Sequence, residues 1–297
     1  ALMFLPRPAS LIMSVVAVTG LGTLWQHPDA LFQDRSFFGT HKVLDLPGKG
    51  VRAYVNGTTA HGYLDLSELE AQTPTPLSYY HPNGPMAEVL TSDHLTDTAS
   101  VGIVGLGVGA LSCYRQPGQD WHFYEIDPMV DRVARNRDLF TYMSNCAGDA
   151  PTHLGDARVV LDGQTDLRFD VLVIDAYSSN SVPVHLTTAD AMQLYMDRLA
   201  DDGVLLYHIS NRYYRIDVPL ARAADALNLD IWVKFHEAKA RASFEGDTFV
   251  AMVTRVGQTP QTILDNGGWT RLDSDGGKVW TDDFANPLGS LKWIYDR

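Results

Sequence analysis

The chain has 297 residues, 45% of them hydrophobic and 20% charged, which is ordinary globular composition with room for one large domain or two unequal ones. Against 23 basic residues stand 36 acidic ones, a formal charge of -13 that repels phosphate backbones and excludes nucleic acid as a partner. Two cysteines, Cys113 and Cys146, make neither a disulfide framework nor a zinc spacing, which fits a reducing compartment with Cys113 as plain core.

Residues 1–30 form an apolar lead. Pro8 to Trp25 carries no charge and includes LIMSVVAV, about the minimum span of a bilayer helix, though glycine, serine and threonine interrupt it. It reads as a buried or surface helix, a signal remnant, a disordered lead, or the last transmembrane helix of a longer protein. Arg7 alone is too little to orient such a span. Residues 31–84 predict a small β-domain and a loop. KVLDL and VRAYV flank PGKG, Asn-Gly at 56–57 precedes TTAHGYLDL, and a stretch rich in Pro, Ser and Thr runs to YYHPNGP.

Residues 85–297 predict the main domain. MAEVLTSDHL has helical spacing, VGIVGL reads as a buried strand, GALSCYRQ as a helix and WHFYEID as a strand. PMVDRVARNRDLF reads as a helix with Pro in its first turn. ARVVLDG and FDVLVIDA read as the third and fourth strands. LTTADAMQLYMDRLA is a helix capped by Thr187 or Thr188, GVLLYHIS a fifth strand, and PLARAADALNL a helix. IWVKFHEAK and DTFVAMVTR close as an antiparallel hairpin. The alternation demands an α/β fold: a doubly wound, Rossmann-like parallel sheet with right-handed crossovers.

In such a sheet the strand ends converge on one crevice. Gly105, Gly107 and Gly109 turn the chain sharply out of a strand and into a helix, where free N–H groups face a ligand. Glu125 follows Gly105 at the distance of a ribose-binding acid, so a nicotinamide enzyme enters consideration. Against it stand Asp156 in GDAR, placed for an adenine amino group, Asp175 with hydroxyls in IDAYSSN over the reacting end, and the terminal hairpin with the β-rich lead. The ligand narrows to an adenosine compound. No G-x-S-x-G elbow supports hydrolysis. The histidines show no pairing at ligand spacing, so no metal is expected; His61 in TTAHG is the one set to look into the site from the β-domain. Asp282 and Asp283 read as a capping or exposed pair rather than a lid over a cation.

These motifs, in the order NGTTAHG, SYYHPNGP, VGIVGLGVGA, YEIDPMV, GDAR and FDVLVIDAYSSNSVP, resemble the spermidine synthase family of polyamine aminopropyltransferases from about Arg35 to Arg255. The resemblance is strongest to bacterial members in which this domain follows a membrane-embedded segment, where RSFFG and VWTDDFANPL also fit. It implies a small N-terminal β-domain before a methyltransferase-like sheet, and a cytoplasmic domain tethered to the bacterial inner membrane. Family members commonly form dimers or tetramers, so a homodimer is expected. The implied reaction moves a propylamine group from decarboxylated S-adenosylmethionine to an amine such as putrescine and releases methylthioadenosine, without a metal. The resemblance assigns Glu125 to the ribose, Asp156 to the adenine and Asp175 to the general base; Tyr177 and Ser178, which follow Asp175 in the chain, are candidate hydrogen-bond partners for it. Tyr80 and His81 match a Tyr-His pair lining the substrate channel, His61 joining them.

Two positions depart from the family pattern. Val108 stands where the glycine motif carries Asp, and Ser178 stands at the second Asp of D-x-x-D. Losing those carboxylates weakens the hold on a cationic amine by about 1.5–3 kcal/mol each where desolvated. Val108 opens the alternative of an enzyme using intact S-adenosylmethionine, such as a methyltransferase. Ser178 opens that of a non-catalytic nucleoside or polyamine sensor.

Overall fold

The computed structural model describes residues 30–57, 59–176, 184–239 and 244–292. Residues 1–29 of the apolar lead, and Tyr177 and Ser178, lie outside these. No helix among the described residues is long and apolar enough to cross a membrane.

Two sheets build the molecule. The first is a four-stranded antiparallel meander, β1 (Ala30–Ser36), β2 (Gly39–Leu46), β3 (Val51–Asn56) and β4 (Thr59–Asp65). The sequence reading missed β1 because ALFQDRS has little apolar alternation. The tight Ser36–Gly39 turn pairs it with β2 all the same.

The second sheet has eight strands in the order β12-β10-β11-β9-β8-β5-β6-β7. They are β5 (Ser100–Val104), β6 (Asp120–Glu125), β7 (Thr152–Leu154), β8 (Phe169–Ile174), β9 (Leu199–His208), β10 (Leu229–His236), β11 (Thr248–Arg255) and β12 (Thr270–Arg271). The run from β7 to β9 is parallel, and β9, β11, β10 and β12 pair antiparallel. The strands VGIV and VLVI are buried along their length, as a sheet covered on both faces requires.

Three local expectations fail. ARVVLDG is a helix, Ala157–Gly163, and not a strand; strand three is Thr152–Leu154. The valine pair suggested a strand, but Asp156 caps a helix there, its carboxylate accepting from the N–H groups of Arg158 and Val159. Val159 is left 72% exposed while Leu161 is buried. GALSCYRQ forms only a short 3-10 stretch, Ala110–Tyr114. The helix beginning at Pro128 stops at Arg135, and a second short helix, Tyr142–Cys146, follows the turn. Elsewhere Thr188 supplies the expected cap, accepting from the N–H of Ala191.

The cysteines also need correction. Cys113 and Cys146 form a disulfide with their Cα atoms 4.8 Å apart. The bond ties the 3-10 stretch after the glycine turn to the helix Tyr142–Cys146. A separation of 33 residues gave no hint of this, since only the folded chain brings these helices together. The cysteine count therefore no longer argues for a reducing compartment.

The two sheets share a core in which Val43, Tyr54 and Leu64 join Val101, Ile103 and Phe140. Polar bonds cross the same seam. Arg52 of β3 pairs with Asp45 and donates to the carbonyls of Asp138 and Leu139 at 2.8 and 2.9 Å. Buried His41 sits between Tyr54 and Ser36, with Asp127, just past β6 of the main sheet, 3.1 Å from Nε2. The Tyr142 hydroxyl donates to the carbonyls of Tyr63 and Thr75.

Candidate active site

The carboxyl ends of β7, β6, β5, β8 and β9 open, in that order, along one cavity of about 370 Å³ roofed by β4. Gly105 and Gly107 make the floor of its centre. Both have positive φ, and each runs against other backbone. A Cβ on Gly105 would lie 2.3 Å from the carbonyl oxygen of Asp175, and one on Gly107 would lie 2.7 Å from that of His61. Gly109 stands behind, against Met143, and does not line the cavity.

Glu125 ends β6 as a buried cavity-lining residue. Its oxygens accept from the backbone N–H groups of Leu106 at 3.0 Å and Asp127 at 2.9 Å. The carboxylate thus ties the glycine turn to the next strand end. Burial pushes its pKa above the usual value, more than the backbone hydrogen bonds hold it down. Asp156 lines the outer end of the cavity. One of its oxygens caps the following helix, and the other lies 3.7 Å from Nε2 of His185.

Asp175 sits past the end of β8, only 8% exposed. Its Oδ1 is 2.7 Å from Nδ1 of His208, and its Oδ2 accepts from the hydroxyl of Tyr80. Tyr114 steadies Tyr80 by donating to its carbonyl. Tyr79 stacks on the His208 ring at 4.5 Å. His61 reaches the cavity from β4, its Nε2 buried without a hydrogen-bond partner among the described residues. Burial lowers its pKa more than nearby Asp175 raises it.

The cavity therefore gathers Gly105, Gly107, Glu125, Asp156, Asp175, Tyr80 and His61. It does not gather His81, whose ring lies 3.9 Å from Glu245 beyond the wall. Asp282 pairs with Arg158 and accepts from Thr188, also outside this cavity. Val108, which stands where the family's glycine motif carries Asp and opened the alternative of an intact donor, is fully buried away from the cavity. It packs on Gly62, where an added Cβ would come within 2.3 Å of its methyl group. Sequence reasoning missed Tyr79, Asp127, His208, Ser210 and Asn211, which also line the cavity. His208 was open to discovery, since GVLLYHIS ends a strand and strand ends meet at this crevice.

No family model matches the sequence. A polyamine aminopropyltransferase of Vibrio vulnificus is 29% identical over 109 residues, 35% of this chain and 35% of that protein. The chain thus spans about a third of the length of the curated relative it matches. Among solved structures, a probable spermidine synthase from Corynebacterium glutamicum superposes with a TM-score of 0.59 at 12% identity, covering 86% of this chain and 97% of that one. The spermidine synthase of Thermotoga maritima gives 0.53 at 15% identity, covering 90% and 87%. These likenesses set the class: a Rossmann-like, methyltransferase-type sheet carrying an N-terminal antiparallel sheet. Within that class the chain resembles the spermidine synthases, in fold over most of its length and in sequence over about a third.

Proposed function

We propose that the chain is a transferase of the spermidine synthase type, moving an aminopropyl group from decarboxylated S-adenosylmethionine to an amine. The observation that carries this reading is the charge of the cavity wall. Glu125, Asp127, Asp156 and Asp175 line it, and no Lys or Arg does among the described residues. A donor that is cationic at both sulfonium and ammonium matches such a wall. The carboxylate of intact S-adenosylmethionine would meet no counter-charge there. Val108 lends an intact donor no support, because its side chain is turned out of the cavity.

In this reading the ribose hydroxyls donate to Glu125, the adenine amino group donates to Asp156, and the sulfonium carbon lies before Asp175. The acceptor nitrogen attacks the propyl carbon bonded to sulfur. The C–S bond breaks with its electron pair left on sulfur, so the leaving group is neutral methylthioadenosine. The leaving group is already activated, and the enzyme's task is alignment and release of a lone pair. An alkylammonium costs about 4.6 kcal/mol to deprotonate at neutral pH. Asp175, oriented by Tyr80 and His208, takes up that proton.

Mass spectrometry after separate incubations with decarboxylated and with intact S-adenosylmethionine, each with an amine panel, tests the reading. Methylthioadenosine release is expected. Its absence, with S-adenosylhomocysteine formed from the intact donor instead, would replace aminopropyl transfer by methyl transfer.

A further inference from the structure

A line of hydrogen bonds joins the Cys113–Cys146 bond to Asp175. Tyr114 follows Cys113 directly and is buried. Its hydroxyl donates to the carbonyl of Tyr80, and the Tyr80 hydroxyl donates to Asp175. Burial pushes the Tyr114 phenol above the usual tyrosine value, so it remains a donor. On the other side of the bond, Cys146 ends the helix whose Tyr142 holds the carbonyls of Tyr63 and Thr75.

The two pieces joined by the bond are weak alone. Ala110–Tyr114 is a 3-10 stretch and Tyr142–Cys146 a helix of five residues, and neither length persists without tertiary support. Ser112 within the first and Thr141 at the start of the second each bury a hydroxyl with no hydrogen-bond partner among the described residues. The cross-link therefore carries more of the hold on Tyr114 than local bonding does. The glycine turn is secured differently. Gly105 donates to the carbonyl of Tyr124, and Glu125 accepts from Leu106, so the turn is tied to β6 without passing through the cysteines.

We infer that Tyr114 is a positioning residue for Asp175, acting through Tyr80, and that the Cys113–Cys146 bond fixes it there, so that turnover answers to thiol–disulfide exchange. The inference rests on the transferase reading above and adds a control to that site. Both cysteines are half-buried, within reach of a small dithiol. One thiolate of the dithiol attacks a cysteine sulfur, forming a mixed disulfide and releasing the other cysteine as a thiolate. The second thiol of the reductant then displaces the remaining cysteine and closes the reductant's own disulfide. An electron pair passes to the protein, and protons from the dithiol leave both cysteines as thiols. With the bond open, the 3-10 stretch shifts and carries Tyr114 off the Tyr80 carbonyl. A misplacement of about 1 Å at a reacting group lowers a rate by up to about a hundredfold.

The experiment compares the full chain with and without dithiothreitol, well below the melting temperature of the reduced form. It measures methylthioadenosine release from decarboxylated S-adenosylmethionine with an amine panel, and the dissociation constant of methylthioadenosine by calorimetry. The chain has no other cysteine, so a response has one source. Reduction should lower kcat by about tenfold or more while the dissociation constant stays within about twofold. Tyr114→Phe should lower kcat similarly, and dithiothreitol should then change it by less than about twofold, since both act through the same contact. Cys113→Ser combined with Cys146→Ser should turn over at the reduced rate and ignore the reductant. Equal kcat in the oxidised and reduced wild type would overturn the inference and leave the transferase reading intact. A full response to reductant in Tyr114→Phe, or a loss of nucleoside affinity as large as the loss of kcat, would overturn Tyr114 as the link. No methylthioadenosine release in either state would overturn the transferase reading, and the inference with it.

Discussion

Nδ1 of His208 lies 2.7 Å from Oδ1 of Asp175, joining the ends of two adjacent parallel strands in one buried pair. With Tyr80 on the other oxygen, the carboxylate is fixed in direction before any ligand arrives. Such pre-set orientation is what proton transfer during displacement needs. Asp175→Asn should lower kcat by at least about two orders of magnitude while the dissociation constant for methylthioadenosine stays within about twofold. Stopped assays and calorimetry on the same variant check both halves. Turnover near the wild-type level would remove Asp175 from the chemistry.

Glu125 predicts a pH dependence of nucleoside affinity. Burial raises its pKa above the ordinary 4.5, so protonation begins at a higher pH than for a solvated glutamate. The ionised form is the acceptor for two ribose hydroxyls, and affinity for methylthioadenosine should therefore fall as pH drops through that raised value. For folding the sign is opposite. A raised carboxyl contributes stability below its unfolded pKa and loses it as pH rises through the folded one. Calorimetric titration from neutral pH down to the acid limit of folding should show the loss, and Glu125→Gln should bind weakly with a flatter profile. A flat profile in the wild type would show that Glu125 does not hold the ribose as a carboxylate.

Val108→Asp puts back the acid of the family's glycine motif, yet it should not strengthen donor binding. The side chain points at Gly62 and is fully buried, so the new carboxylate meets backbone and methyl groups rather than ligand. An uncompensated charge there should cost about 3–5 kcal/mol of stability. Thermal melting should fall by several degrees with no gain in affinity for the decarboxylated donor. A tighter donor complex would mean that position 108 does face the ligand.

The Cys113–Cys146 bond predicts sensitivity to reductant. Closing a loop of 33 residues restrains the unfolded chain by roughly 3–4 kcal/mol in the chain-entropy account. Reductant should lower the melting temperature by several degrees, and Cys113→Ser should melt at the lower value with no further response. Identical melting of the reduced and oxidised protein would show that the bond adds nothing.

Much of this architecture is legible in the residues. VGIVGL, YEID and VLVIDA announce buried strands whose ends must meet, and the glycine turn, Glu125, Asp156 and Asp175 do share one cavity. Local chemistry misled where a residue had two plausible partners. The valines of ARVVLDG have strand propensity, but Asp156 caps a helix and wins. Val108 sits among glycines next to the ligand site in sequence, yet the close approach of Gly62 turns its side chain into core. His208 and the disulfide depend on which strands and helices become neighbours, and that information lies in topology rather than in any short motif.

The seam between the two sheets has one more consequence. Arg52, His41 and Tyr142 pin the roof to the floor at three separated points, each partly or wholly dehydrated. Ties of this kind oppose a parting of the two sheets along the seam, since any such opening would strand several buried polar groups at once.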